Sequence, residues 1–202
     1  MIVSRQPHAV GTNRSRIAIF SDSTVTATEA LSMSDPEITF DFMMRAGVKS
    51  AGLRVAGQGP AALRARGAVQ AENLRQLGFD SLDLCNADFC NEASLAYGAE
   101  AVKRVFLVSA VDAVNLAGTE AMYILNVAPV ELLLCCVGFP GEAAAVLQQL
   151  PHGAALHGVS VSVLLDCGLR AQTLAGLGYS LPAVCSQCSA SGEDLRKLGY
   201  AL

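Results

Sequence analysis

From residue 40 onward the apolar positions recur on a beat of ten. A large apolar residue stands four positions before a glycine in "MMRAG" (Met43–Gly47), "LRVAG" (Leu53–Gly57), "LRARG" (Leu63–Gly67) and "LRQLG" (Leu74–Gly78). The series runs on through Leu84, Leu95, Val105, Val114, Ile124, Leu134, Ala144, Ala154, Leu164, Leu174, Val184 and Leu195. These sixteen anchors are ten residues apart, with three steps of 11 and one of 9. Ten of the sixteen carry glycine four positions on; the others carry Asp88, Ala99, Ser109, Ala128, Gln148 and Cys188. A register that holds over such a span is a repeat.

The last unit, "DLRKLGYAL", shows the physics. Leu195 and Leu198 are three apart and face one side of a short helix. Gly199 follows where a left-handed backbone closes the free carbonyls, and it has no Cβ to resist that conformation. Tyr200 stands where an apolar residue folds back onto the last turn, as do Phe79, Phe89, Phe139, Val159, Leu169 and Tyr179. Asp80, Ser160 and Ser180 are placed to cap the next helix. Pro60, Pro129, Pro140, Pro151 and Pro182 fall between anchors, where proline suits a first turn or a loop. Each unit therefore predicts a helix of about two turns and a tight corner. So short a helix is marginal alone and persists only by stacking its apolar stripe on neighbours.

Two other readings compete. A continuous coiled coil of 11-residue period is opposed by the regular glycines and scattered prolines. Strands over "RVFLVSAV" (104–111) and "HGVSVSVLL" (157–165) are suggested by Val-rich alternation, yet both segments keep the anchor register. The expectation is an all-α chain: an α-solenoid of about sixteen short helical repeats over 40–202, preceded by a non-repetitive arm over 1–39. The units from Leu84 to Gln148 depart most from the pattern. The phrase "L-R-x-x-G-[FY]-S" resembles short-unit α-helical repeat proteins of the solenoid type. That resemblance implies an elongated or curved stack of short helices that binds other proteins.

Composition sharpens the picture. The chain is 52% hydrophobic and only 16% charged, without tryptophan; about a quarter charged is usual. The surplus apolar surface is expected to lie against other subunits. "YILNVAPVELLLCCVGF" (123–139) carries Asn126, Pro129 and Glu131 and is read as protein interior, so no membrane span is expected. Seven cysteines without a secretory signal suggest free thiols in a reducing compartment. Residues 1–39 open with Arg5, Arg14 and Arg16 and no acid before Asp22, then turn rich in Ser and Thr. That composition fits an organellar, for instance mitochondrial, targeting segment, or an arm that packs on the repeats or a partner; the arm is the expectation.

Charge is uneven. Met43 to Phe79 holds Arg45, Lys49, Arg54, Arg64, Arg66 and Arg75 against Glu72, whereas Asp80 to Cys167 holds ten acids against Lys103 and Arg104. Arg54, Arg64, Arg75 and Arg196 share the position after an anchor, so the first three predict a row.

Candidate chemistry is thin. Cys185 and Cys188 have CxxC spacing, but a second pair and a βαβ context are both missing, and small buried thiols account for them better. "GFPGEAAAV" lacks the Lys-Ser/Thr of a phosphate loop. His152 and His157, five apart, would stand about 140° apart on a helix. The sequence therefore predicts a non-enzymatic scaffold or accessory subunit, with no cofactor and no metal, that binds protein partners. The alternative is a ribonucleoprotein subunit that contacts RNA through Arg54, Arg64 and Arg75 in the basic 43–79 units. The last unit ends on Tyr200 and Leu202 without a polar covering helix, so this end is expected to pack on another protein.

Overall fold

The computed structural model describes residues 38–201, and these are built from helices with no strand among them. The arm expected over 1–39 lies outside them apart from Ile38 and Thr39, and so does Leu202. Fifteen helices follow one another: α1 (Phe40–Arg45), α2 (Ser50–Val55), α3 (Pro60–Ala65), α4 (Ala71–Gln76), α5 (Ser81–Leu84), α6 (Ala87–Tyr97), α7 (Ala99–Phe106) and α8 (Ala110–Leu116). Then come α9 (Glu120–Ile124), α10 (Pro129–Cys135), α11 (Pro140–Gln149), α12 (Val161–Asp166), α13 (Ala171–Gly176), α14 (Leu181–Cys188) and α15 (Gly192–Leu198). Each anchor unit supplies one helix except the Ala154 unit, where "PHGAALHG" runs as successive turns. Alanine offers that unit too little apolar surface to hold a helix between Pro151 and Gly158.

The corner prediction is realised in atomic detail. All ten anchor-linked glycines have positive φ, from 65° at Gly57 to 99° at Gly67. At Leu74 the Phe79 N–H donates to the anchor carbonyl (3.1 Å) and the Gly78 N–H to Arg75 O (2.9 Å). The pair of bonds closes a Schellman cap, which satisfies carbonyls that the helix end leaves free. The same pair recurs at Met43, Leu53, Leu63, Leu164, Leu174 and Leu195. Asp80, Ser160 and Ser180 accept from backbone N–H groups of the following helix, as expected. Pro60, Pro129 and Pro140 open their helices.

Burial follows the anchors at both ends of the chain: Met43, Leu53, Leu63, Leu74, Leu84, Leu164, Leu174 and Val184 are sealed from solvent and Leu195 nearly so. Each such leucine contributes roughly 2 kcal/mol of hydrophobic burial. The middle departs from the sequence register. Leu95 is 79% exposed and Leu134 54%, while Ala93, Val102, Ala113, Met122, Leu132 and Ala143 turn inward instead. At the ninth helix the cause is visible. Val127 N–H closes on Met122 O (2.8 Å), and Asn126 takes the left-handed place at φ 51°. The cap therefore belongs to Met122, and the Ile124 anchor is two residues late.

Contacts across the chain have one dominant spacing. Helix α3 packs on α6, α4 on α7, α5 on α8, and α6 on α9. With the turn at 151–157 counted as a unit, α8 on α11, α10 on α12 and α12 on α15 continue the rule of every third unit. Hydrogen bonds repeat the spacing. Ser50 Oγ donates to Gly78 O (2.8 Å), Tyr97 Oη to Pro60 O (3.2 Å), Cys167 Sγ to Leu133 O (3.1 Å) and Tyr179 Oη to Leu147 O (3.1 Å), with partners 28 to 37 residues apart. Side chains of one unit thus satisfy carbonyls two or three units away. One connected apolar core runs from Ile38 to Leu198.

Candidate interaction surface

The three arginines of the predicted row are used inside the fold. Arg54 pairs with Asp83 (Nε–Oδ1, 2.8 Å) and lies over the Phe79 ring at 5.9 Å. Arg75 pairs with Asp112 (3.3 Å), donates from Nε to Val105 O (3.2 Å) and covers the Phe106 ring at 5.4 Å. Arg64 stacks on Tyr97 at 5.8 Å. Each guanidinium thus reaches units two to four further on, where an aromatic ring and, in two cases, a carboxylate receive it. Arg104 answers Glu72 in the same way (3.1 Å), and Lys103 joins Glu131 (3.0 Å). Two of the six bases in the basic start, Arg54 and Arg75, are therefore matched by acids of the middle.

Burial, against the pull of the Asp80 N–H and of Arg54, pushes the Asp83 carboxyl up. Glu131 goes the other way: burial would raise it, but the Ala128 N–H and the Lys103 ammonium hold it below 4.5. Burial also pushes the Cys188 thiol up to about 11 and the Cys136 thiol up to about 12. Such thiols hold their protons and are poor nucleophiles. All seven cysteines are free; Cys90, Cys136 and Cys167 are buried, while Cys85, Cys135, Cys185 and Cys188 are only half-buried, less than the sequence suggested. Among the described residues no cluster of three His, Cys, Asp or Glu could hold a metal. His152 lies against the Tyr179 ring (4.9 Å) and His157 faces solvent. No helix among the described residues is long and apolar enough to cross a membrane.

At the C-terminal end Tyr200 is half-buried. Its N–H closes the last cap on Leu195 O (2.9 Å), while its hydroxyl is buried with no hydrogen-bond partner among the described residues. Burial, then the Cys185 and Cys188 thiols, push that phenol up.

Two clefts open between stacked units. One of about 490 Å³ lies between Arg54–Ala62 and Leu82–Glu92; another of about 360 Å³ lies between Met122–Pro129 and Leu150–His157, beside the missing helix.

One group of exposed apolar side chains lies where the sequence register did not place it. Val108 is 60% exposed, Val111 62%, Leu134 54%, Val137 46% and Phe139 53%. They belong to two neighbouring stretches: Val108 and Val111 at the start of α8, and Leu134, Val137 and Phe139 from the end of α10 to the start of α11. The stretches are joined where Cys135 Sγ donates to Leu107 O (3.9 Å) and α8 packs on α10. Phe139 was expected to fold back like Phe79 and Tyr179, but here the Gly138 N–H donates to Asp166 O (3.0 Å) of the unit three on. The Schellman pair at Leu134 does not form, and the ring is released outward. The available signal was "LLLCCV" (132–137), six apolar residues in a row where a helix can bury about half. No protein-family model, no curated protein and no solved structure matches the chain.

Proposed function

We propose that this chain is a non-catalytic scaffold or accessory subunit of a larger protein assembly. In this reading the units form an α-solenoid with three short helices to a turn, belonging with short-unit helical repeat proteins, and partner proteins bind its surface. The observation that carries the reading is the set of large apolar side chains left in solvent at Val108, Val111, Leu134, Val137 and Phe139 on a chain poor in charge. Surfaces of this kind mark interaction sites more than free faces. The unsatisfied Tyr200 hydroxyl supports a second contact at the C-terminal end. RNA binding through units 43–79 has less support, because Arg54 and Arg75 already answer Asp83 and Asp112.

The test is native affinity purification of the tagged full chain, divided into nuclease-treated and untreated halves. Stoichiometric proteins that survive nuclease are the expected result. Partners lost with nuclease, or bound RNA, would replace the scaffold reading with the ribonucleoprotein one.

A further inference from the structure

The exposed corner carries charge as well as apolar side chains. Asp166 borders it through the main chain, its backbone carbonyl accepting from the Gly138 N–H between Val137 and Phe139, and its side chain is exposed there. Glu142 stands three residues after Phe139 in the first turn of α11. Neither carboxylate takes part in an ion pair among the described residues. Asp112 and Glu131 border the same corner, and they are matched by Arg75 and Lys103. Lys103 and Arg104 are the only Lys or Arg residues from Asp80 to Cys167, and both are paired; Arg170, the next cation along the chain, donates to the Leu165 and Leu169 carbonyls and makes no ion pair with Asp166. An apolar patch with two unmatched carboxylates at its rim selects a partner with apolar anchors and flanking positive charge. An anionic surface is disfavoured by the same charges.

We infer that the corner formed by Val108, Val111, Leu134, Val137 and Phe139 is a docking surface for a basic amphipathic helical segment of a partner protein. Apolar anchors of that segment cover Leu134 and Phe139, and its Lys or Arg side chains meet Asp166 and Glu142. This deepens the scaffold reading and rests on it.

The experiment titrates the full chain with two fluorescent peptides of roughly 18 residues, about five helical turns. They share a leucine face and carry either lysine or glutamate on the polar face. The lysine peptide is expected to bind at least about tenfold more tightly, a difference of about 1.4 kcal/mol, and to weaken with added salt. The double variant Leu134→Ser/Phe139→Ser is expected to lose about the same factor while keeping its helical circular dichroism. Val55→Ser, at a distant exposed position (77%), should leave binding unchanged. Equal binding of both peptides, an unaffected double variant, or sedimentation showing a second copy seated on the patch would overturn the inference. The two proposals fail separately. If the purified partners remain bound to Leu134→Ser/Phe139→Ser, the surface is refuted and the scaffold stands. If no partner is found while the lysine peptide binds as expected, the scaffold reading is refuted and the surface stands.

Discussion

Glu92 caps a helix to which it does not belong. Its Oε1 accepts from the Ala61 N–H (2.9 Å) at the start of α3, 31 residues earlier. The residue at that helix's own capping position is Gly59, which has no side chain to offer. A Cβ on Gly59 would run into the Glu92 carboxylate. The empty side chain and the distant carboxylate are two halves of one device, a cap supplied by the unit three further on.

Glu92→Ala is therefore expected to cost about 1 kcal/mol, the usual worth of a helix cap. Gly59→Ser alone displaces the carboxylate and gains little. In the Glu92→Ala background the same serine supplies a local cap and recovers most of the loss, because Gly59 already has the extended backbone of a capping residue (φ −84°, ψ 177°). Urea unfolding of the four chains measures the coupling. Simple additivity would show that the carboxylate does not cap α3.

The arginine row makes a ranked prediction. Arg75→Ala strands the Asp112 carboxylate, whose side chain is 8% exposed, and should cost about 2–3 kcal/mol. Arg54→Ala removes a guanidinium that is 51% exposed and should cost about 1 kcal/mol. Arg64→Ala loses only its stacking on Tyr97, about 0.5 kcal/mol. Thermal unfolding of the three variants orders them. Equal, small losses would mean that the row faces outward to a ligand instead of inward to the stack.

Much of this molecule is legible residue by residue. Leu53 with Gly57 gives a buried anchor and a left-handed corner, and Ser160 gives a cap, because those signals act within six residues of chain. The ten-residue beat correctly separates helices from the rival strands at 104–111 and 157–165. What a beat does not state is which units touch. That depends on the angle at each corner, so the pairing of Arg75 with Asp112 and of Glu92 with Ala61 has no local signature. The middle register was misread for a related reason. "LLLCCVGF" offers several apolar stripes, and tertiary packing chose Leu132 and Leu133 over Leu134.

Glycine substitutions separate backbone strain from crowding. Gly57 has φ 65° and open space around a built Cβ, so Gly57→Ala should cost about 1 kcal/mol, the left-handed penalty alone. Gly57→Asn should be close to neutral, since asparagine accepts that conformation and Asn126 already does so at φ 51°. Gly118 has φ 70° and would set its Cβ 2.6 Å from the Gln149 carbonyl oxygen, a backbone atom in the unit three further on. Gly118→Ala should therefore cost about 3 kcal/mol or more, strain and displacement together. Denaturant midpoints for the three variants check the order. A Gly118→Ala loss no larger than that of Gly57→Ala would show that the two units do not approach each other there.

The acid limb of stability should depend on Glu131. Burial tends to raise this carboxyl, but the Ala128 N–H (2.7 Å) and the Lys103 ammonium (3.0 Å) outweigh it and hold it below its ordinary 4.5. A lowered folded-state value means that the unfolded chain binds the proton more readily. The contribution of Glu131 is thus fully present above pH 4.5 and is lost as pH falls below that value through the folded-state value. Asp83 has the opposite sign, because burial raises it above 3.8: its contribution is complete below that pH and is lost as pH rises through the higher folded-state value. In Glu131→Gln the fall in stability below pH 4.5 should flatten, whereas in Asp83→Asn it should remain. Lys103→Met should reproduce part of the Glu131→Gln effect by removing one of the two groups that hold the carboxylate charged. Unfolding free energies measured from pH 7 to pH 3 on the three variants and the parent chain decide it. An acid limb unchanged by Glu131→Gln would mean that the Lys103 pair does not join α7 to α10 in solution.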